Sequence, residues 1–397
     1  MREYGVYIHV PFCVSKCPYC DFYSESVRTL DWNVQRRYVR AVEAEAASRL
    51  SALTRHGMPM LPHGNDWLRT DPEPADVRPG ETTITSVYVG GGTPTVLDEH
   101  LLADLISVSR RICPGAIAPD CEVTCEANPG TVDPRKMTTM RRAGVTRVSL
   151  GFQSTVDSEL KALGRAHTSA QAMESFRLAR GAGFPQVSVD LMFGVPGQSL
   201  ESWRKTLARI VELGPDHVSA YCLTLAEGTP LAMDVEKRVV KVPDEKAQAG
   251  MYETTIDVLK QAGFDHYEIS NFARKGCQCR HNLLYWAGGE YVGLGASAHS
   301  HLGTKRSANT GSAVAFIEAM ESANSAVGFE EELDPEQIEL EKKFLGLRTM
   351  RGADLPRNSV VLDLVARQLL EEHGGMFRLT RKGKLFADTV VAMVLGV

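Results

Sequence analysis

The sequence predicts an α/β protein: an incomplete parallel (β/α)6 barrel, open on one side, then a C-terminal α+β domain ending in a winged-helix-like module. Three observations carry this. Six strand-like runs alternate with amphipathic helical runs, which implies a parallel sheet with right-handed crossovers. Nearly every polar motif falls at the C-terminal end of one of those strands, where barrels assemble ligand sites. After Thr229-Pro230 the β-then-α rhythm stops.

The strand-like runs are Gly5–Val10, Ile84–Val89, Cys121–Ala127, Thr146–Gly151, Gln186–Phe193 and His217–Leu223. Leu30–Leu50 repeats apolar side chains every four residues (Val34, Tyr38, Val42, Ala46), and Asp98–Ile112 does so with Leu101, Leu105, Val108 and Ile112. Asp133–Ala143 has Asp133 to cap it, Pro134 in its first turn and Gly144 just past its end. Ser169–Ala182 and Ser199–Leu213 follow, the latter stopped by Gly214-Pro215. Met58–Glu81, rich in proline and mixed charge without periodicity, reads as an inserted surface loop (57–82). The barrel is expected over 1–238 and the C-terminal domain over 239–397. That domain has a helix Asp244–Ala262, extended Tyr267–Phe272, a loop with Cys and His, and glycine-rich Tyr291–Ala298. In the tail (330–397), Asp334-Pro335 caps a helix to about Met350, Arg357–His373 and Lys382–Val394 read as helical, and Phe377–Thr380 as extended.

The composition is that of a globular protein, 43% hydrophobic and 23% charged. A net charge of −5 argues against a general nucleic-acid surface. Nine cysteines, mostly in apolar contexts, suit a reducing cytoplasm; no signal-peptide pattern and no apolar run of membrane-spanning length is present.

The chemistry concentrates in Val6–Phe22, VYIHVPFCVSKCPYCDF, where Cys13, Cys17 and Cys20 form a C-x3-C-x2-C run after the first strand. Three soft ligands suit three corners of a cubane iron–sulfur cluster and leave the fourth iron open. A zinc site needs a fourth ligand, from His9 or the distant Cys277 and Cys279. A disulfide framework ill fits so long and cysteine-poor a chain, and a redox pair Cys17/Cys20 leaves Cys13 unexplained. Gly90–Thr95, GGGTPT, follows the second strand; it is either a tight turn or a cradle into which a small zwitterion comes close to the backbone. Glu126, Gln153 and Asp190 lie on later strands and Arg165 in the loop LGRAHT. Singly these could cap helices; together they make a ring suited to ribose hydroxyls, an amino group and a carboxylate.

YxHxPFCxxxCxYC, GGGTPT, the strand-end glutamate, GFQS, LGRxH and DLMFGVPGQ together resemble the radical S-adenosylmethionine (SAM) superfamily. The branch is the one that contains oxygen-independent coproporphyrinogen III oxidase and its heme-chaperone relatives. The resemblance covers the chain except Met58–Glu81. It implies a 4Fe-4S cluster on Cys13, Cys17 and Cys20, with SAM on the open iron and lined by Tyr7, Tyr19, Gly91, Gly92, Thr93, Glu126, Gln153, Arg165 and Asp190. An electron from the cluster would cleave the sulfonium to a 5′-deoxyadenosyl radical. No catalytic residue is assigned.

Three features favour the heme chaperones over the oxidase. Phe22 stands where the oxidase pattern has a fourth cysteine; only six residues precede Tyr7, where the oxidase carries an extension; and His281–Trp286, HNLLYW, matches the chaperones' HNxxYW. A neutral imidazole can ligate heme iron, and Tyr and Trp can stack on a porphyrin. The resemblance therefore implies heme, a heme-accepting protein (at a membrane or not), a low-potential electron donor, and a monomer or homodimer. The alternatives are coproporphyrinogen III decarboxylation and radical-SAM methylation or opening of heme. His299 and His301 are secondary heme candidates. Cys277 and Cys279 are bystanders, a redox pair or a heme ligand, and Cys113, Cys121, Cys125 and Cys222 are expected to be inert core residues.

Overall fold

A computed structural model describes residues 2–26, 31–56, 82–112, 116–323 and 325–396. The proposed insertion Met58–Glu81 and Cys113 lie outside the described residues. In chain order the elements begin β1 (Arg2–Val10), β2 (Phe12–Cys13), β3 (Glu25–Ser26), α1 (Trp32–His56), β4 (Thr82–Gly91), α2 (Glu99–Ile112), β5 (Ile117–Ala127), α3 (Pro134–Ala143) and β6 (Arg147–Gln153). Next come α4 (Asp157–Ala162), α5 (Ser169–Gly181), β7 (Gln186–Phe193), α6 (Leu200–Leu213), β8 (His217–Cys222), α7 (Pro230–Glu236), α8 (Glu245–Gln261), β9 (Asp265–His266), β10 (Asn271–Ala273) and α9 (Arg280–Trp286). β11 (Glu290–Leu294), β12 (His299–Leu302), β13 (Lys305–Asn309), α10 (Ala313–Ala323) and β14 (Val327–Glu332) follow. The chain ends with α11 (Pro335–Leu347), α12 (Ser359–Ala366), β15 (Leu370–His373), β16 (Met376–Leu379), α13 (Arg381–Lys384) and α14 (Ala387–Leu395). No helix among the described residues is long and apolar enough to cross a membrane.

The chain forms two compact units. The first comprises Met1–Leu150, Met173–Pro185 and Gly289–Glu332. Its strands run in the order β14-β13-β12-β11-β1-β4-β5-β6. β1, β4, β5 and β6 are parallel, and β11 joins β1 in parallel on the other side. β1 buries side chains on both faces, as a strand inside a covered sheet must. Of the predicted stripe of α1, Tyr38, Val42 and Ala46 are buried and Val34 partly so, and Leu50 one turn on is buried as well. A buried ion pair pins that helix to the added strands. Arg49 donates to Glu45 (3.1 Å) and to the Gly293 carbonyl (2.9 Å), and Glu45 accepts from Gly295 N (2.8 Å) and Asn309 Nδ2 (2.7 Å). The caps of α3 are as expected: Asp133 accepts from Lys136 N (2.7 Å), and Gly144 takes φ +110°.

The second unit comprises Gly151–Ala172, Gln186–Gly288 and Leu333–Val397. β8 lies between parallel β7 and antiparallel β10, with β9 outside β10. α6 and α8 lock through the buried Trp203, whose indole N–H reaches the Met251 carbonyl (3.1 Å) and Thr255 Oγ1 (2.9 Å). In the tail, α11, α12, α14 and the hairpin β15–β16 enclose Leu347, Val361, Leu364, Leu370, Phe377 and Val390.

Several expectations need correction. Arg357–His373 is not one helix: α12 ends at Ala366, Gln368 takes φ +59°, and Leu370–His373 pairs with Met376–Leu379 across a turn at Gly374-Gly375. Lys382–Val394 is broken at Phe386. Cys121 and Cys125 are buried as expected, but Cys222 is exposed, because β8 leaves its last two side chains, Tyr221 and Cys222, uncovered. The segment expected as a Cys- and His-bearing loop contains a helix, α9, and His281 is on it.

Candidate functional site

In the first unit the site grows from the ends of β1, β4 and β5. Register pairs Tyr7 with Tyr88, and His9 and Val10 with Gly90 and Gly91. Tyr88 Oη donates to Glu126 Oε1 (2.8 Å) and Gly91 N–H to Glu126 Oε2 (3.1 Å), so both carboxylate oxygens are held at the strand ends. Tyr7 Oη lies 2.9 Å from His9 Nδ1, and His9 Nε2 is 3.2 Å from the Tyr23 carbonyl. Burial lowers the His9 pKa to about 4, which keeps its imidazole neutral. Burial, then the neighbouring Glu126, raises the Tyr7 phenol and keeps it protonated.

The glycines are needed for steric reasons. Gly91 takes φ +110°, and a Cβ there would lie 2.4 Å from the His9 ring. A Cβ at Gly92 would meet the Phe12 carbonyl at 2.7 Å, the Val10 carbonyl at 2.9 Å and Cys13 Sγ at 3.1 Å. The loop can come this close because Gly92 N–H donates to Val10 O (2.8 Å) and Thr93 N–H to Phe12 O (2.7 Å). Thr93 Oγ1 is 3.5 Å from Cys13 Sγ and accepts from Asn128 Nδ2 (2.7 Å). The cradle and the first thiol are thus one packed piece.

The thiol loop is anchored at both ends. β2 pairs with β3, Glu25 N–H donates to the Pro11 carbonyl (2.6 Å), and Cys20 N–H donates to the Cys17 carbonyl (3.1 Å). Tyr23 also donates to Glu25, and its Oη accepts from Ala313 N–H (2.7 Å). Cys13, Cys17 and Cys20 are all partly exposed and unbridged. Burial raises the Cys20 thiol, and the nearby Cys17 and Cys13 raise it further. Among the described residues no three Cys, His, Asp or Glu side chains converge on a point that one ion could fill. A cubane asks for something else: each thiolate bonds a different iron, so the sulfurs must surround a volume. A partly exposed loop with three unbridged thiols against a glycine cradle fits that demand.

In the second unit, Gln153 ends β6 at φ +63°. A non-glycine residue there stores about 1–3 kcal/mol of strain. Arg165 Nη2 donates to the Gly151 carbonyl (3.0 Å), which ties its loop to the same strand end. Asp190 pairs in register with Ser219 and accepts from Ser188 Oγ at 3.5 Å. His281 is 1% exposed; its Nε2 is 2.9 Å from Tyr285 Oη, and burial lowers its pKa to about 3. Its imidazole is neutral, as a metal ligand must be, but engaged and covered. Cys279 is buried beside it and Cys277 partly exposed; His299 is exposed and His301 partly so.

Sequence reasoning missed Tyr88 and Asn128, which hold Glu126 and Thr93. The local signal was slight: Tyr88 stands two residues before Gly90 on β4, so the two share a face, while Asn128 lies just past the end of β5. His9, weighed as a zinc ligand, instead packs between Tyr7 and Tyr23 under Gly91.

A family model described as the radical SAM superfamily matches residues 76–210. The heme chaperone HemW of Mycobacterium tuberculosis is 36% identical over 100% of this chain and 95% of its own length. That of Bacillus subtilis is 30% identical over 99% of both chains. Among solved structures, the radical SAM enzyme coproporphyrinogen III oxidase (HemN) of Escherichia coli superposes with a TM-score of 0.79 at 20% identity, covering 99% of this chain and 90% of its own. It shares the α/β fold with its mixed, partial barrel. The chain belongs to the radical SAM superfamily, within the family of the heme chaperones HemW.

Proposed function

We propose that this protein binds heme and passes it to an acceptor protein in the cytoplasm, carrying a 4Fe-4S cluster and SAM. The observation that carries the reading is the similarity to two heme chaperones along the whole chain. Residues 1–238 serve as the SAM core and 239–397 as the domain that completes the heme site. Cys13, Cys17 and Cys20 hold the cluster. Tyr7, Tyr19, Gly91, Gly92, Thr93, Glu126, Gln153, Arg165 and Asp190 bind SAM, and His281 offers the heme ligand. When bound, the pair of cofactors supplies one-electron cleavage of a sulfonium.

The chain's own residues do the rest. The Gly90–Gly92 backbone admits a ligand's polar groups closely. Glu126, fixed by Tyr88 and Gly91, accepts hydrogen bonds from an amino group or hydroxyls. Arg165 offers a guanidinium to a carboxylate. His281 must exchange the Tyr285 hydroxyl for iron, so heme loading uncovers α9.

The test is anaerobic. Cluster-reconstituted protein receives coproporphyrinogen III, SAM and a low-potential reductant, with products read by mass spectrometry, and a parallel sample is titrated with heme. Heme binding without decarboxylation is expected. Protoporphyrinogen formed with matching 5′-deoxyadenosine would sink the chaperone reading in favour of the oxidase.

A further inference from the structure

A line of hydrogen bonds crosses the second unit from Asp190 to the start of α9. Cys279 N–H donates to Tyr267 Oη (3.4 Å). Tyr267 Oη is 2.8 Å from His217 Nε2, and His217 Nδ1 is 2.9 Å from Ser188 Oγ. Ser188 Oγ donates to Asp190 Oδ1 (3.5 Å). Topology builds the line: Ser188 and His217 are partners across β7 and β8, and His217 faces Ala273 across β8 and β10. Ser188, His217 and Cys279 are buried.

The line has a direction. A backbone N–H only donates and an ionised carboxylate only accepts. The arrangement that uses each donor once therefore runs from Cys279 N–H to the Tyr267 hydroxyl and from that hydroxyl to His217 Nε2. It continues from Nδ1–H to the Ser188 hydroxyl, and from there to Asp190. This places the His217 proton on Nδ1. Aligned bonds polarise one another, so a change at one end is felt along the line. The terminal bond to Asp190 is the longest, hence the one a ligand hydroxyl at Asp190 displaces most readily. At the other end sits Cys279, the residue that caps α9, with His281 two residues on.

We propose that His217 and Tyr267 are positioning residues that couple what Asp190 binds to the helix bearing His281. The identity of the two ligands, SAM and heme, rests on the proposed function; the line itself does not. Two measurements on the full chain test it. In 15N-histidine-labelled protein without ligands, the His217 signal, assigned by its loss in His217→Gln, is expected to show the Nδ1–H tautomer; the Nε2–H tautomer overturns the proposal. In cluster-loaded protein, SAM is expected to shift the heme Kd at least about fivefold in wild type. In Tyr267→Phe, which keeps the ring against His217, the shift should fall to about onefold, with each ligand alone binding within about threefold of wild type. No shift in wild type, or an equal shift in both proteins, overturns the coupling. Wild type that binds neither ligand sinks the proposed function instead, and the tautomer still decides the line.

Discussion

The thiol loop and helix α9 both pack ligand-type side chains into a few residues, but they present them in opposite states. Cys13, Cys17 and Cys20 are partly exposed on a loop whose ends are pinned by β2–β3 pairing and by contacts with the glycine cradle. His281 is sealed in a helix, neutral, with Tyr285 on its Nε2. Backbone hydrogen bonds hold the first group in place before any ligand arrives. A side-chain hydrogen bond holds the second, and it must break first. Under the proposed function, the first would hold the resident cluster and the second the heme that comes and goes.

The contrast can be broken by mutation. The largest effect is expected at the loop: Cys13→Ala, Cys17→Ala or Cys20→Ala should each drop iron and sulfide content after reconstitution to background, and full retention in any of them would remove that cysteine from the ligand set. Next is Gly92→Ala. Its methyl has no room beside the Val10 and Phe12 carbonyls and Cys13. It should cost about 1–3 kcal/mol in urea unfolding and lower cluster loading as well. A stable, fully loaded variant would show that the cradle yields.

The proposed heme site should respond in both directions. His281→Ala should weaken heme binding about tenfold or more. Tyr285→Phe, which removes the hydroxyl that competes for Nε2, should tighten it by the net worth of a hydrogen bond, about 0.5–1.5 kcal/mol. Spectroscopic heme titration checks both, and the two variants moving the same way would contradict the closed-site account.

The smallest effect is on pH. Burial lowers His281 to about 3 and His167 and His266 to about 4, from an ordinary 6.5. At each of these sites the unfolded chain binds more protons than the folded one below pH 6.5, so the stability they contribute is lost as pH drops from there toward 4; Glu268, raised by burial to about 7, opposes them with a single carboxyl. Urea midpoints between pH 7.5 and 4.5 should decline, and less so in His266→Gln. A decline in His266→Gln equal to that of wild type would mean that this imidazole titrates freely.

How far these features could be seen in the sequence follows from their physics. The six core strands were legible because buried parallel strands are continuous apolar runs, and Gln186–Phe193 matches residue for residue. The strands β12 to β14, HSHL, KRSAN and VGFEEE, gave no such signal, because an edge of mixed polarity has neither an apolar run nor clean alternation. Cys13, Cys17 and Cys20 were visible because ligands on a loop depend on spacing alone. The burial of His281 was not: a seven-residue helix between Gly276 and Gly288 is too short to show a period. Tyr88 and Asn128 went unseen because what they do depends on partners 38 and 35 residues away in the chain.

One titration tests the central claim most directly. Cluster-reconstituted wild type and His281→Ala are titrated anaerobically with heme, and the loaded wild type is then mixed with apomyoglobin as a probe acceptor. The account predicts saturable binding that is weakened at least tenfold in the variant, and passage of heme to the probe with the cluster intact. Binding that ignores His281, or heme that stays on a protein with an intact cluster, would contradict it.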